Sequence, residues 1–168
     1  HKTEAKVVAL NLNDRDSLTG AYEKLLRNAE AYNPEAKIDG VLCQKMIEGV
    51  VAEAIIGVIR DPAFGPAVIF GLGGIMVEIL RDRAVAVPPL RRREALAMIE
   101  SVKGYSLLTG FRGRPKADIE AVADMIRRAG DLAVSLGDRL EALDINPVMI
   151  LPEGRGAYPA DALLILKD

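Results

Sequence analysis

The hydrophobic positions of the chain follow two periods. At residues 6–12 (KVVALNL), 40–47 (GVLCQKMI) and 52–60 (AEAIIGVIR) apolar side chains alternate or run together between turn residues, which predicts strands. After the first of these, Leu18, Ala21, Leu25 and Ala29 recur at helical spacing while Glu23, Lys24, Arg27 and Asn28 take other faces. Asn13 or Asp14 offers the oxygen that caps this helix, and Asn33-Pro34 ends it. A short helix is expected from the arginine triplet 91–93 to about Val102, followed by a glycine-punctuated loop, 107–115, carrying Arg112 and Arg114. Residues 116–135 form the longest predicted helix, with Pro115 at its start, Gly137 at its end, and Ile119, Val122, Ile126, Ala129 and Ala133 on one face. Strands and helices in this succession, without an internal repeat, indicate an α+β fold with a mainly antiparallel sheet.

The stretch Pro66–Asp82, PAVIFGLGGIMVEILRD, is the most unusual in the chain. Gly71, Gly73 and Gly74 lie too close together for one helix, since each costs about 1 kcal/mol relative to Ala there, so strand, turn, strand is expected. In the second strand Met76, Glu78 and Leu80 share a face, which sets a carboxylate among apolar neighbours. Such a group is normally paired, protonated or bound to a ligand. Glu53, just ahead of Ile55 and Ile56, raises the same question.

Composition narrows the possibilities. In 168 residues half are hydrophobic but only 4% aromatic, so the core must be built from Val, Ile, Leu, Ala and Met. A formal net charge of −2, from 22 basic and 24 acidic residues, provides no global field to attract nucleic acid or anionic lipid. No apolar run is long enough to span a membrane as a helix. The single cysteine, Cys43, forms no internal disulfide, and a cytoplasmic protein is expected. The chain opens at His1, without an initiator Met and one step before a strand-like segment, as expected of a piece of something longer.

The sharpest local signal is near the end, ALDINPVMILPEGRGAYPADALLIL. Asp144 and Asn146 share a strand face opposite Leu143 and Ile145. If the chain reverses at Glu153-Gly154, opposed residues have numbers summing to about 307, so Asn146 lies across from Asp161, with Cβ atoms ~5 Å apart. Three hard oxygen donors then share one face, the ligand type that Mg²⁺ takes together with waters and phosphates. The competing reading is a set of polar residues at the end of a hairpin, because a slip of one residue sends Asp161 to the other face.

The segments GVLCQKMIEG, AEAIIGVIRDPAFGPAVIFGLGGIMVEIL, LLTGFRG and LDINPVMI followed by ADA resemble the ATP-grasp domain of nucleoside-diphosphate-forming acyl-CoA synthetases. That is the acetyl-CoA synthetase (ADP-forming) family, distantly related to the succinyl-CoA ligase β subunit. The resemblance covers essentially the whole chain, and DPxFGP, GLGG and DINP in this order are specific. It implies that residues 1–168 are a partial ATP-grasp domain, with the upstream half of the fold absent, that holds ATP or ADP with Mg²⁺ between two sheets. It further implies exchange of a phosphoryl group with a histidine on a partner domain. CoA-binding and ligase domains, in the same chain or a partner subunit, and an oligomeric enzyme are expected.

Residue by residue, the resemblance makes Asn146 and Asp161 the Mg²⁺ ligands and Asp144 the acid next to them. Glu53 matches the acid that contacts the nucleotide, and Gly73, Gly74 and Glu78 match the glycine turn and acid facing the phosphotransfer site. His1, the only histidine, matches the family's HK(S/T)(D/E) motif, and a neutral imidazole can accept a phosphoryl group near pH 7. Three departures stand out: Lys6-Val7 replaces a Gly-Gly, Lys45 stands where an acid is common, and the upstream half with its nucleotide-binding lysine is missing. The expectation is that the piece alone turns nothing over. Lys6-Val7 and Lys45 favour an alternative, a non-catalytic regulatory or scaffold module in a multidomain acyltransferase.

Overall fold

The computed structural model describes residues 5–73 and 82–167. The chain divides into two compact units, His1–Met46 and Ile47–Asp168.

The first unit is built on helix α1, Arg15–Tyr32. Asp14 is its N-cap: the carboxylate accepts the Ser17 N–H at 2.7 Å while the Asp14 N–H donates to the Ser17 hydroxyl at 3.3 Å. The first of these bonds holds the Asp14 carboxyl below its usual range. The chain leaves the helix at Asn33, as expected. The strands anticipated at 6–12 and 40–47 do not form ladders. Alternation fixes which way side chains point but supplies no neighbouring backbone to pair with. The extended run is also broken by left-handed residues, Lys6 (φ 52°) and Asn11 (φ 59°). Lys6 stands where the resembled family has glycine and adopts a conformation natural to glycine. Its carbonyl accepts the Asn28 side-chain amide at 2.7 Å.

In the second unit the described residues form a six-stranded antiparallel sheet. Its strands are β1 (Ala52–Asp61), β2 (Gly65–Leu72), β3 (Arg83–Ala86), β4 (Leu140–Ile150), β5 (Ala157–Pro159) and β6 (Ala162–Leu166), in the order β3-β2-β1-β4-β5 with β6 also on β4. Helices α2 (Arg92–Ser101) and α3 (Ile119–Leu136) cover one face. Alternate residues of the strands point into that layer: Ala54, Ile56 and Val58 from β1, Val68, Phe70 and Leu72 from β2. They meet Ala95, Met98 and Ile99 of α2 and Val122, Ile126, Ala129 and Ala133 of α3. The other face of β1 and β2 carries Glu53, Ile55, Gly57, Ile59, Ile69 and Gly71.

Helix α3 begins three residues later than the proline signal suggests. Its cap is Asp118, whose carboxylate accepts the Ala121 N–H at 3.1 Å. The residues before it are used otherwise: Ala117 bridges to Pro152 and donates its N–H to the Leu108 carbonyl at 2.9 Å. Gly137 ends the helix, as expected. In the preceding loop Arg112 is left-handed (φ 55°) and its guanidinium sits 5.3 Å from the centre of the Phe111 ring.

The anticipated hairpin register is present. Val148 opposes Pro159, Met149 opposes Tyr158 and Ile150 opposes Ala157, and beyond Asp161 Ile145 opposes Ala162 and Asp144 opposes Leu163. Against β1, however, β4 is bulged. Ala54 pairs with Val148 and Ile56 with Ile145, so Asn146 and Pro147 together face the single residue Ile55. Leu143 and Val148 are of opposite parity and both buried for this reason. Proline has no N–H to lose from a ladder and suits the bulge.

Candidate functional site: an acidic face at a strand bulge

The sheet face away from α2 and α3 gathers most of the residues singled out above. Asp144 lies directly opposite Gly57, which shares the face of Glu53, so the two acids project on the same side. Glu53 pairs with Met149, two residues along β1 from the position facing the bulge, a separation of ~7 Å. Across the hairpin the Asn146 N–H donates to the Asp161 carbonyl at 3.1 Å, which fixes these residues as neighbours. Asp144, Asn146, Asp161 and Glu53 are all exposed. The idea that Glu53 is a carboxylate enclosed by apolar groups is therefore corrected. Of its apolar neighbours in sequence, Ala54 and Ile56 point to the helical layer, while Ile55 shares the face of Glu53, whose side chain is nonetheless exposed.

Gly73 meets the same face. Its N–H donates to the Glu53 carbonyl at 2.7 Å, and a Cβ there would lie 3.1 Å from the Glu53 Cβ and 3.3 Å from its carbonyl carbon. A side chain would push on the strand that carries the acid. Gly74, Glu78 and His1 lie outside the described residues. The chain returns at Asp82, whose carboxylate accepts the N–H groups of Lys103 and Gly104, both at 2.9 Å.

Among the described residues no group of three or more His, Cys, Asp or Glu could hold a metal ion. The donors of the hairpin fit a different pattern. Mg²⁺ normally takes one or two carboxylates and completes its shell with waters and phosphate oxygens. One carboxylate opposite one amide, with a further carboxylate two residues away, is a donor set of that kind, made of hard oxygens and facing solvent.

A concavity of about 620 Å³ is lined by Arg60, Asp61, Pro62, Gly65, Glu141, Ala142 and Lys167 at the opposite end of β1 from Glu53, and contains none of the acids above. A smaller one, about 110 Å³, lies beside the Arg92–Glu120 ion pair of α2 and α3. On α3, hydrogen bonds from Arg127 and then Arg128 hold the Asp124 carboxyl below its usual range, and Asp124 in turn raises Arg127.

Sequence reasoning misses Asp118, the buried polar residue among those described, because Pro115 offers an earlier helix start. An aspartate followed by Ile119, Glu120 and Ala121 was the signal available. Nor does the sequence pattern single out Gly57, the residue that pairs with Asp144.

A family model described as ATP-grasp domain matches residues 1–166. The chain belongs to the ATP-grasp family. Within it, the chain is 44% identical over 167 residues to the beta subunit of an ADP-forming acetate–CoA ligase (II) of Pyrococcus furiosus, covering 99% of this chain and 70% of that protein. It is 43% identical over 154 residues to an ADP-forming acetate–CoA ligase of Archaeoglobus fulgidus, covering 92% of this chain and 22% of that protein. Among solved structures, an acetyl-coenzyme A synthetase of Ca. Korarchaeum cryptofilum, in complex with coenzyme A and Mg-AMPPCP and with its phosphohistidine segment pointing towards the nucleotide binding site, superposes with a TM-score of 0.85. It is 39% identical, and the match covers 99% of this chain and 71% of that one. This ATP-grasp domain is thus part of an acid–CoA ligase of the ADP-forming kind. No described helix is long and apolar enough to cross a membrane.

Proposed function

We propose that this ATP-grasp domain holds ATP or ADP with Mg²⁺ on the face of its sheet away from α2 and α3, for phosphoryl exchange between the nucleotide and a histidine of a partner domain. The observation that carries the reading is the pairing of Asn146 with Asp161 across the hairpin, on the face shared by Asp144 and Glu53. Asn146 and Asp161 would hold the metal. Asp144 stands beside them, at the approach of the phosphoryl-carrying histidine, and Glu53 reaches the nucleotide from β1. A bound Mg²⁺ supplies charge neutralisation at the phosphate oxygens. In the exchange the terminal P–O bond of ATP breaks, a P–N bond to imidazole forms, and ADP leaves; the ATP-forming direction is the reverse.

The roles of Gly74, Glu78 and His1 in that exchange rest on the motif match alone. The proposed setting is the cytoplasm, in an assembly that also contains CoA-binding and ligase domains. One observation favours a second reading, a regulatory or scaffold module: Lys6 places a side chain at a left-handed position where the family has a bare glycine backbone.

Calorimetric titration of the full-length protein with ADP separates the two. The nucleotide-holding reading expects binding that needs Mg²⁺, with affinity falling at least about tenfold, or ~1.4 kcal/mol, in EDTA. Absent or metal-insensitive binding by a folded protein would support the scaffold.

A further inference from the structure

Strand β6 does not hold its own register. All five of its residues, Ala162–Leu166, are exposed, and the sequence ALLIL has no alternation of apolar and polar positions. A slip of one residue along β4 would change little burial, and register is weakly specified in such strands. β5 adds three residues, one of them Pro159 without an N–H. Yet the same slip would carry Asp161 to the face away from Asp144.

The register is set instead at the turn. The Leu151 N–H donates to the Gly156 carbonyl at 3.1 Å and closes it, and the Arg155 N–H donates to the Pro152 carbonyl at 2.9 Å. The segment before α3 clamps this turn from outside. Asp118 donates its N–H to the Leu151 carbonyl at 2.9 Å, and the Glu153 N–H donates to the Lys116 carbonyl at 2.9 Å. The Asp118 carboxylate divides its oxygens between two elements: Oδ1 takes the Ala121 N–H of α3 and Oδ2 takes the Gly156 N–H of the turn at 2.8 Å. Asp118 is 8% exposed, so both bonds are made largely out of water, where a charge-assisted bond is strong and a lost one is costly.

We infer that Asp118 is a positioning residue for the metal-holding face: by anchoring Gly156 to the start of α3 it keeps the hairpin in the register that sets Asn146 across from Asp161. The inference rests on the proposed ligand pair for its functional consequence, and on the hydrogen bonds alone for the anchoring.

Asp118→Ser tests it in the full-length protein. Serine is a good N-cap, so α3 stays capped, but its shorter side chain cannot also reach Gly156. Amide hydrogen exchange at Tyr158 and at Ala160, whose N–H donates to the Pro147 carbonyl, is expected to quicken roughly tenfold while the amides of α3 stay as in the wild type. ADP affinity in Mg²⁺ is expected to fall by a similar factor, and affinity in EDTA to stay unchanged. Should the serine variant not fold, Asp118→Asn, which keeps the size and one acceptor, is read in the same way. Unchanged hairpin exchange would overturn the inference. So would faster exchange with unchanged Mg²⁺-linked affinity, provided Asn146→Ala lowers that affinity. If exchange quickens and Asn146→Ala leaves ADP binding as it was, the anchoring stands and the ligand assignment falls.

Discussion

Asn146→Ala combined with Asp161→Ala is expected to lower Mg²⁺-supported ADP affinity by about 100-fold or more, ~2.8 kcal/mol, while affinity in EDTA changes little. Both side chains are exposed and neither is part of the helix-facing core, so the fold should survive their loss. Each single substitution removes one oxygen donor, and about tenfold is expected from each. Asp161→Asn keeps a donor oxygen but removes the charge, and should fall between the wild type and Asp161→Ala. Asp144→Ala should differ in kind: if that carboxylate stands at the approach of the histidine, phosphoryl transfer slows while Mg²⁺-linked affinity is mostly kept. Calorimetry and phosphohistidine formation from labelled ATP, on the full-length protein, measure the two effects separately.

Phe70→Ala is expected to cost about 3–5 kcal/mol of stability, the usual toll for deleting a buried aromatic side chain. Phe70 is fully buried on β2, on the side that faces α2 and α3. In a domain whose total stability is ~5–15 kcal/mol, that loss moves the unfolding midpoint far down. Because the side chain points away from the acidic face, protein still folded at low temperature should keep the ADP affinity of the wild type. A stability loss well under 1 kcal/mol in chemical denaturation would show that the helical layer is not packed on β2 as described. This is also the contrast with the hairpin variants, which should lose metal-linked binding with little change in stability.

The helical layer and the hairpin were legible in the sequence for different reasons. Strands β1 and β2 declared themselves because apolar residues such as Ile56 and Phe70 fill one face between clear turn residues, and α1 because Asp14 is a strong cap. The register that pairs Asn146 with Asp161 followed from the position of one turn, since alternation does the rest. What was not legible depends on partners that lie far off in sequence. Residues 6–12 and 40–47 alternate like strands, but pairing needs a neighbouring backbone. Glu53 was expected among apolar groups because parity does not say which face the helices cover. The bulge at Asn146–Pro147 arises from a mismatch with β1, although Pro147 and the change of parity between Leu143 and Val148 were its trace in the sequence. Asp118 escaped notice because its importance lies in a turn 38 residues away.

The most direct measurement replaces Mg²⁺ by Mn²⁺, which takes the same oxygen ligands, and follows paramagnetic broadening of backbone amides in the full-length protein with ADP bound. Broadening is expected to centre on residues 144–146 and 161–163, to reach Glu53, and to spare the amides of α2. Broadening centred anywhere else, or none at those residues with ADP and Mn²⁺ both bound, would contradict a metal held between Asn146 and Asp161.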